Sequence, residues 1–175
     1  MNINFKNGGA SCVAVLFLLA TSFIASSCAS QPRIDADGRL RGTVVRVVDG
    51  DTVKVRLGSH TETIRLIGVN TPETKHPTKG VECWGPEASA HTHFMLPAGT
   101  EVFVVRDEEA RDKYGRLLAY VTRAQDNLFV NLDLAAGGWA DTLAIEPNTV
   151  YAEAFSNAVA IAQQQHLGLW AHCRR

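Results

Sequence analysis

Asp49-Gly50-Asp51-Thr52 sets two carboxylates at a tight turn between two strand-like runs, and Asn70-Thr71-Pro72-Glu73 sets further oxygen donors just after the next run. Hard oxygen ligands of this kind converge on Mg2+ or Ca2+. Arg65 lies between Ile64 and Leu66, and Arg116 follows Lys113-Tyr114-Gly115. Guanidinium forks grip phosphate in a bidentate way that suits them better than lysine. Taken singly, each feature has a plainer role. Asp-Gly is a common hairpin turn, Pro72 fixes an ordinary polar loop, and either arginine fits a solvated surface. Taken together, acid and amide oxygens for a divalent ion, one spare glutamate and two arginines are what phosphodiester cleavage by an activated water requires. Arg65, Glu73 and Arg116 are then all expected at a solvent-accessible site.

The histidines add little to this set. His91 and His93 stand two apart on a predicted helix and point to different sides, so they cannot share a metal. His60, His76, His166 and His172 read as surface residues. Trp84, Trp139 and Trp170 read as core or clamp residues, since no basic stripe interleaves them as a base-stacking platform would need.

The elements that must position these residues are legible in outline. Gly42 to Val48 and Thr52 to Leu57 are rich in β-branched residues and are joined by the Asp49-Gly50-Asp51 turn. Leu57-Gly-Ser-His60 closes a second hairpin onto a strand expected over Thr61 to Val69. Pro86 to Leu96 opens with Pro and Glu, which suit a helix's first turn. Glu101 to Arg106 and Leu117 to Arg123 read as strands, Asn131 to Ala136 as a short helix ended by Gly137-Gly138, and 150–165 as a helix with Tyr151, Phe155, Ala158, Val159 and Ala162 on one face. Five short strands interleaved with three helices describe an α+β, mainly β fold: a small barrel with helical buttresses.

The chain has 175 residues, with 17 Lys and Arg against 18 Asp and Glu. That balance excludes a protein held to nucleic acid by bulk positive charge, so phosphate binding must come from a few placed groups. Lys6, the apolar run from Val13 to Ile24 and the small residues Ala25 to Ala29 form an export signal too short to span a bilayer comfortably. Ala25-Ser26-Ser27-Cys28 is similar to a bacterial lipobox, which makes 1–27 a signal peptide, Cys28 a lipidated first residue and plain secretion the alternative. Residues 28–40 read as a flexible tether and 41–173 as one domain. A cell-envelope lipoprotein or a secreted or periplasmic protein, monomeric, is the expectation. Export places Cys83 and Cys173 in an oxidising compartment, where a lone pair most often forms a disulfide; two buried free thiols are the alternative. Because Cys83 precedes the first helix and Cys173 follows Trp170, such a bond ties the C-terminal tail to the barrel.

The stretches VVDGDTVKVR (47–56), IRLIGVNTPETKHPTKGVECWGPEAS (64–89), DKYGRLLAY (112–120) and GLW (168–170) occur in the order found in the staphylococcal nuclease (thermonuclease) family, which this chain resembles. The resemblance implies an OB-fold barrel of five strands with three helices. It also implies a calcium-dependent nuclease that cuts DNA and RNA, with little sequence preference, and leaves 3'-phosphate ends. By the same resemblance Asp51, Asn70 and the Thr71 carbonyl hold one Ca2+, and Glu73 accepts a proton from the attacking water or orients it. Arg65 and Arg116 grip the target phosphate, Lys113 and Tyr114 lie beside the nucleotide's terminal phosphate, and Lys79 lies in a basic loop near the substrate. The chain departs from the family's best-known member in three ways. Asn70 replaces an aspartate, which lowers the expected calcium affinity. Leu143 and Ile145 stand where tyrosines pack on the nucleotide, and the chain is slightly acidic rather than strongly basic. The reading from a different class is a catalytically silent OB-fold nucleic-acid-binding module at the cell surface. Such a module has no need of a spare carboxylate beside two arginines.

Overall fold

The computed structural model describes residues 33–74 and 80–173. Cys28 and Lys79 lie outside the described residues. In chain order the elements are β1 (Arg33–Ile34), β2 (Leu40–Asp49), β3 (Thr52–Leu57), β4 (His60–Leu66), β5 (Gly68–Asn70), α1 (Gly85–Met95), β6 (Glu101–Val105), β7 (Leu117–Arg123), β8 (Leu128–Phe129), α2 (Val130–Ala136), β9 (Asp141–Leu143), α3 (Ala152–Gln164) and α4 (Leu169–His172).

Alternation of β-branched and polar residues makes β2, β3 and β4 an antiparallel meander, with Val53 opposite both Val47 and Ile64. β4 then pairs in parallel with β7, β7 antiparallel with β6, and β6 antiparallel with β2, Leu40 facing Val104. This closes the expected five-stranded barrel. Its interior is filled by Val44, Val53, Val55, Ile64, Leu66, Val102, Ala119 and Val121, all at most 2% exposed.

Three helices buttress the barrel close to their expected bounds. Thr92 of α1 donates from Oγ1 to the Gly50 carbonyl at 2.7 Å, strapping the helix to the β2–β3 turn. From α2, Asn131 is fully buried: its Oδ1 accepts the Val121 amide at 2.9 Å and its Nδ2 donates to the Ile67 carbonyl at 2.8 Å. Phe155, Val159 and Ala162 give α3 its buried face.

The strand expected as one piece over Thr61 to Val69 is instead two. Gly68 has φ +84°, and a Cβ there would lie 2.1 Å from the Phe155 ring. The chain turns at this glycine, and β5 leaves the barrel to pair with β9, Asn70 facing Asp141. Within the segment read as a tether, Arg33 and Ile34 form β1 and pair with Arg41 and Leu40. The short elements β8, β9 and α4 were not anticipated.

Cys83 and Cys173 are bonded, with their Cα atoms 5.8 Å apart. Beside the bond, His172 stacks on Trp84 at 4.3 Å, Trp84 on Trp139 at 5.9 Å and Trp139 on His91 at 4.3 Å, so Trp84 and Trp139 form a clamp, while Trp170 packs against the core. His172 is exposed, as expected, and covers the end of the stack. Closing a loop with a separation of 90 residues is expected to stabilise the fold by about 3 to 5 kcal/mol. Urea unfolding of Cys83→Ser beside the oxidised protein measures this, and a shift below about 1 kcal/mol contradicts it.

Candidate active site

The site is built at one end of the barrel, where the β2–β3 turn meets the break between β4 and β5. Asp51 ends the turn just before β3 and is 6% exposed. Its Oδ1 accepts from Thr52 Oγ1 at 2.9 Å, and its Oδ2 accepts the Thr71 amide at 3.1 Å. Cross-strand pairing places Arg65 opposite Thr52, which brings Arg65 Nη2 to 3.1 Å from Asp51 Oδ2. The same nitrogen donates to Asn70 Oδ1 at 3.1 Å, while Nη1 donates to the carbonyls of Leu66 at 2.6 Å and Val69 at 2.7 Å.

Arg65 is therefore 5% exposed, not solvent-accessible as expected. The turn into β5 wraps two backbone carbonyls around its guanidinium, satisfying donors that would otherwise need water. Burial pulls its pKa below the ordinary arginine value, Asp51 draws it back up and Arg116 pushes it down again.

Glu73 is held by its backbone, and its carboxyl meets the Asp49 carboxylate. Its amide donates to Glu82 Oε2 at 3.0 Å, and its carbonyl accepts the Glu82 amide at 2.9 Å. A Cβ on Gly85 would come within 2.8 Å of that carbonyl, so only glycine lets the start of α1 close on this loop. One residue on, Asp49 Oδ1 accepts from Thr74 Oγ1 at 2.9 Å. Burial first, then the Asp49 carboxylate, then Asp51 and Glu82, push the Glu73 carboxyl above its ordinary value.

Arg116 is aimed by a local turn. Asp112 Oδ1 accepts the amides of Tyr114 and Arg116, each at 2.9 Å, and Gly115 has φ +78°. Asp112 Oδ2 accepts from Arg116 Nε at 2.7 Å. Burial raises the Asp112 pKa, but the hydrogen bonds from Arg116 outweigh it and hold the carboxyl below its usual value. The terminal nitrogens of Arg116 bond no described residue. Lys113 Nζ and the Arg116 guanidinium lie 5.1 and 5.4 Å from the Tyr114 ring, grouping the three at the rim.

These residues surround one open cleft of about 500 Å³, lined by Arg65, Asn70, Glu73, Lys113, Tyr114 and Arg116, with Leu143 and Ile145 as its apolar wall. The β5–β9 pairing carries Leu143 there. Asn148 exchanges hydrogen bonds with the backbone of Glu109, at 2.7 and 3.0 Å, and so ties that wall to the loop before Arg116.

Three supporting residues were not singled out from the sequence: Asp49 as the partner of Thr74, Glu82 as the partner of Glu73 and Asp112 as the partner of Arg116. Only the last had a local signal, a carboxylate four residues before an arginine across a glycine turn.

Among the described residues, no three His, Cys, Asp or Glu side chains form a metal cage. The candidate ligands are of a different make-up. Asp51 Oδ2 and Asn70 Oδ1 both lie 3.1 Å from one nitrogen of Arg65, so their oxygens converge, and the Thr71 amide is fixed on Asp51 beside them. One carboxylate with neutral oxygens is a sparse, hard donor set, and the carboxylates of Asp49 and Glu73 add negative charge nearby. Both fit a divalent cation that keeps several waters or substrate oxygens.

A closed five-stranded barrel that gathers two arginines, a glutamate and hard oxygen donors around one cleft is an OB-fold architecture. The family model described as Staphylococcal nuclease homologue matches residues 63–172. The chain is 40% identical over 127 residues to a thermonuclease of Staphylococcus intermedius, covering 73% of this chain and 74% of that one. It is 36% identical over 129 residues to a thermonuclease of Staphylococcus hyicus, covering 74% and 75%. It is also 36% identical over 130 residues to the SPbeta prophage-derived endonuclease YokF of Bacillus subtilis (strain 168), covering 74% of this chain but only 43% of that longer protein. This chain belongs to the staphylococcal nuclease family.

Proposed function

We propose that this chain is an exported, calcium-dependent nuclease that hydrolyses phosphodiester bonds of DNA and RNA and leaves 3'-phosphate ends. The observation that carries the reading is the placement of Arg65, Glu73 and Arg116 around the same open cleft. It is supported by the matching thermonucleases and endonuclease.

A backbone phosphate seated in the cleft meets Arg116, whose terminal nitrogens are uncommitted, and Arg65, whose geometry is locked. Both guanidinium groups stabilise the charge that builds on the phosphoryl oxygens as a fifth oxygen attaches. Glu73, fixed by its backbone to Glu82, takes the proton of the attacking water as the new P–O bond forms. The P–O5' bond breaks and the departing O5' takes a proton from solvent water, leaving the phosphate on the 3' side. Asp51, Asn70 and the Thr71 carbonyl are the residues that would hold Ca2+, which when bound supplies positive charge for the phosphate and a site for water. Lys113 and Tyr114 hold the neighbouring phosphate. Leu143 and Ile145 offer an apolar wall without side-chain hydrogen-bonding groups, which accords with low sequence preference.

Export through residues 1–27 and a lipid anchor on Cys28 complete the reading, with the protein acting as a monomer. Labelling of the chain by radioactive palmitate, lost in Cys28→Ala, tests the anchor. For the enzyme, plasmid DNA and RNA are incubated with the purified protein with Ca2+ and with excess chelator. Cleavage only with Ca2+ is expected; full activity in chelator removes the metal assignment, and no cleavage under either condition removes the nuclease.

Asn70→Asp tests the metal ligands more sharply. An amide oxygen brings a dipole to a hard ion, whereas a carboxylate brings a full charge. The gain is expected at about 1 to 3 kcal/mol, or about tenfold or more in the half-saturating calcium concentration. A calcium titration of activity for both proteins decides this, and an unmoved or raised midpoint means that Asn70 is not a ligand.

A further inference from the structure

A band of positive charge lies outside the cleft, on the outer face of the β1–β2–β3 ribbon. Arg33, Arg41, Arg46 and Arg56 are exposed and Lys54 is half-buried. A β-bulge between Val44 and Arg46 resets the alternation of β2, which turns Arg46 outward beside Lys54. Pairing then sets Arg46 directly opposite Lys54, and Arg33 directly opposite Arg41. Like charges in direct cross-strand register destabilise a sheet, and this ribbon carries two such pairs.

Among the described residues, Glu101 pairs with Arg41. Arg33, Arg46, Lys54 and Arg56 make no ion pair with any described residue. Arg33, Arg41, Arg56, Thr43 and Glu101 share a shallow cavity of about 210 Å³. In a chain of net charge -1, such a concentration is local, and the repulsion it carries is relieved by a bound polyanion.

We propose that this ribbon is a second polynucleotide-binding surface, contacting backbone phosphates of a strand that extends beyond the cleft. The proposal rests on the nuclease reading for its choice of polyanion. The band runs along β2 and β3, whose connecting turn carries Asp49 and Asp51, so its near end at Arg46 and Lys54 adjoins the active end of the barrel. Arg41 to Arg46 spans about 16 Å of extended strand, comparable to about five steps of one strand of duplex at 3.4 Å each. A mononucleotide or dinucleotide fits the cleft alone; a longer strand engages both surfaces.

The test uses the purified protein and the triple variant Arg46→Gln/Lys54→Gln/Arg56→Gln, with Arg33→Gln as a milder second variant at the far end. Binding to a long DNA is titrated by anisotropy in metal-free buffer at several salt concentrations, and turnover is followed on long DNA and on a dinucleotide. The triple variant is expected to bind long DNA about tenfold or more weakly and to lose about three units of salt slope, one for each phosphate contact. KM for long DNA should rise while turnover of the dinucleotide stays within about threefold. The melting temperature should hold or rise, since like-charge repulsion is removed, whereas a structural role for these residues would lower it. An unchanged salt slope, or an equal loss on the dinucleotide, overturns the proposal. So does a loss of binding seen only with vesicles of anionic lipid, which would make the ribbon a membrane contact. If the protein cleaves neither substrate, the nuclease reading falls by itself, and the binding titration still decides the ribbon.

Discussion

Arg116→Ala is expected to lower turnover on DNA by about a hundredfold or more while changing stability by less than about 1 kcal/mol. The two effects separate because of how the side chain is placed. Its side chain is 32% exposed, and its ion pair among the described residues is the single Nε contact with Asp112. The turn that presents it does not depend on that contact, since Asp112 also accepts the backbone amides of Tyr114 and residue 116. Truncation therefore leaves the turn in place, and it removes the Nε contact together with the terminal nitrogens, which bond no described residue. Glu73→Gln should behave alike, because the loop is fixed through the backbone of Glu73, whose amide and carbonyl both bond Glu82. Single-turnover rates at saturating calcium, with urea unfolding of the same preparations, measure both quantities. A rate within about threefold of wild type for either variant removes that residue from the chemistry.

What the sequence revealed and what it hid divide along a physical line. Barrel strands such as β3 and β7 matched their expected bounds because strand alternation is a local property, written in consecutive residues. The break at Gly68 was not legible, because its cause is the ring of Phe155 from a helix far along the chain. β9 escaped notice for the same reason: three residues carry no period, and the strand exists through its pairing with β5. The disulfide was legible from export and cysteine number rather than from geometry. For the site, residue types and family order named the groups that the structure brings around one cleft. Their environments were another matter. Arg65 between Ile64 and Leu66 reads as a solvated strand position, yet the wrapping of β5 makes it a buried one.

That burial gives Arg65→Ala a second, structural consequence besides the loss of a phosphate contact. The guanidinium is 5% exposed and bonds the carbonyls of Leu66 and Val69, the Asn70 amide oxygen and the Asp51 carboxylate. Removing it strands Asp51, itself 6% exposed, without its counter-charge. Breaking a buried ion pair from one side typically costs about 3 to 5 kcal/mol, a large part of the 5 to 15 kcal/mol or so that holds a domain folded. Arg65→Ala is therefore expected to lower the urea midpoint sharply and to melt well below wild type, unlike Arg116→Ala. The double variant Asp51→Asn/Arg65→Met removes both charges and refills the volume, so it should recover most of the lost stability. Activity should not return with it, because the proposed phosphate contact and a proposed metal ligand are both gone. Calcium is the control: the ion should partly restabilise Arg65→Ala by replacing the missing positive charge at Asp51, and should do little for the double variant. Unfolding free energies of the four proteins, with and without calcium, complete the cycle. If Arg65→Ala is as stable as wild type, Asp51 does not depend on Arg65 for its charge balance, and the pair is a placement for catalysis alone.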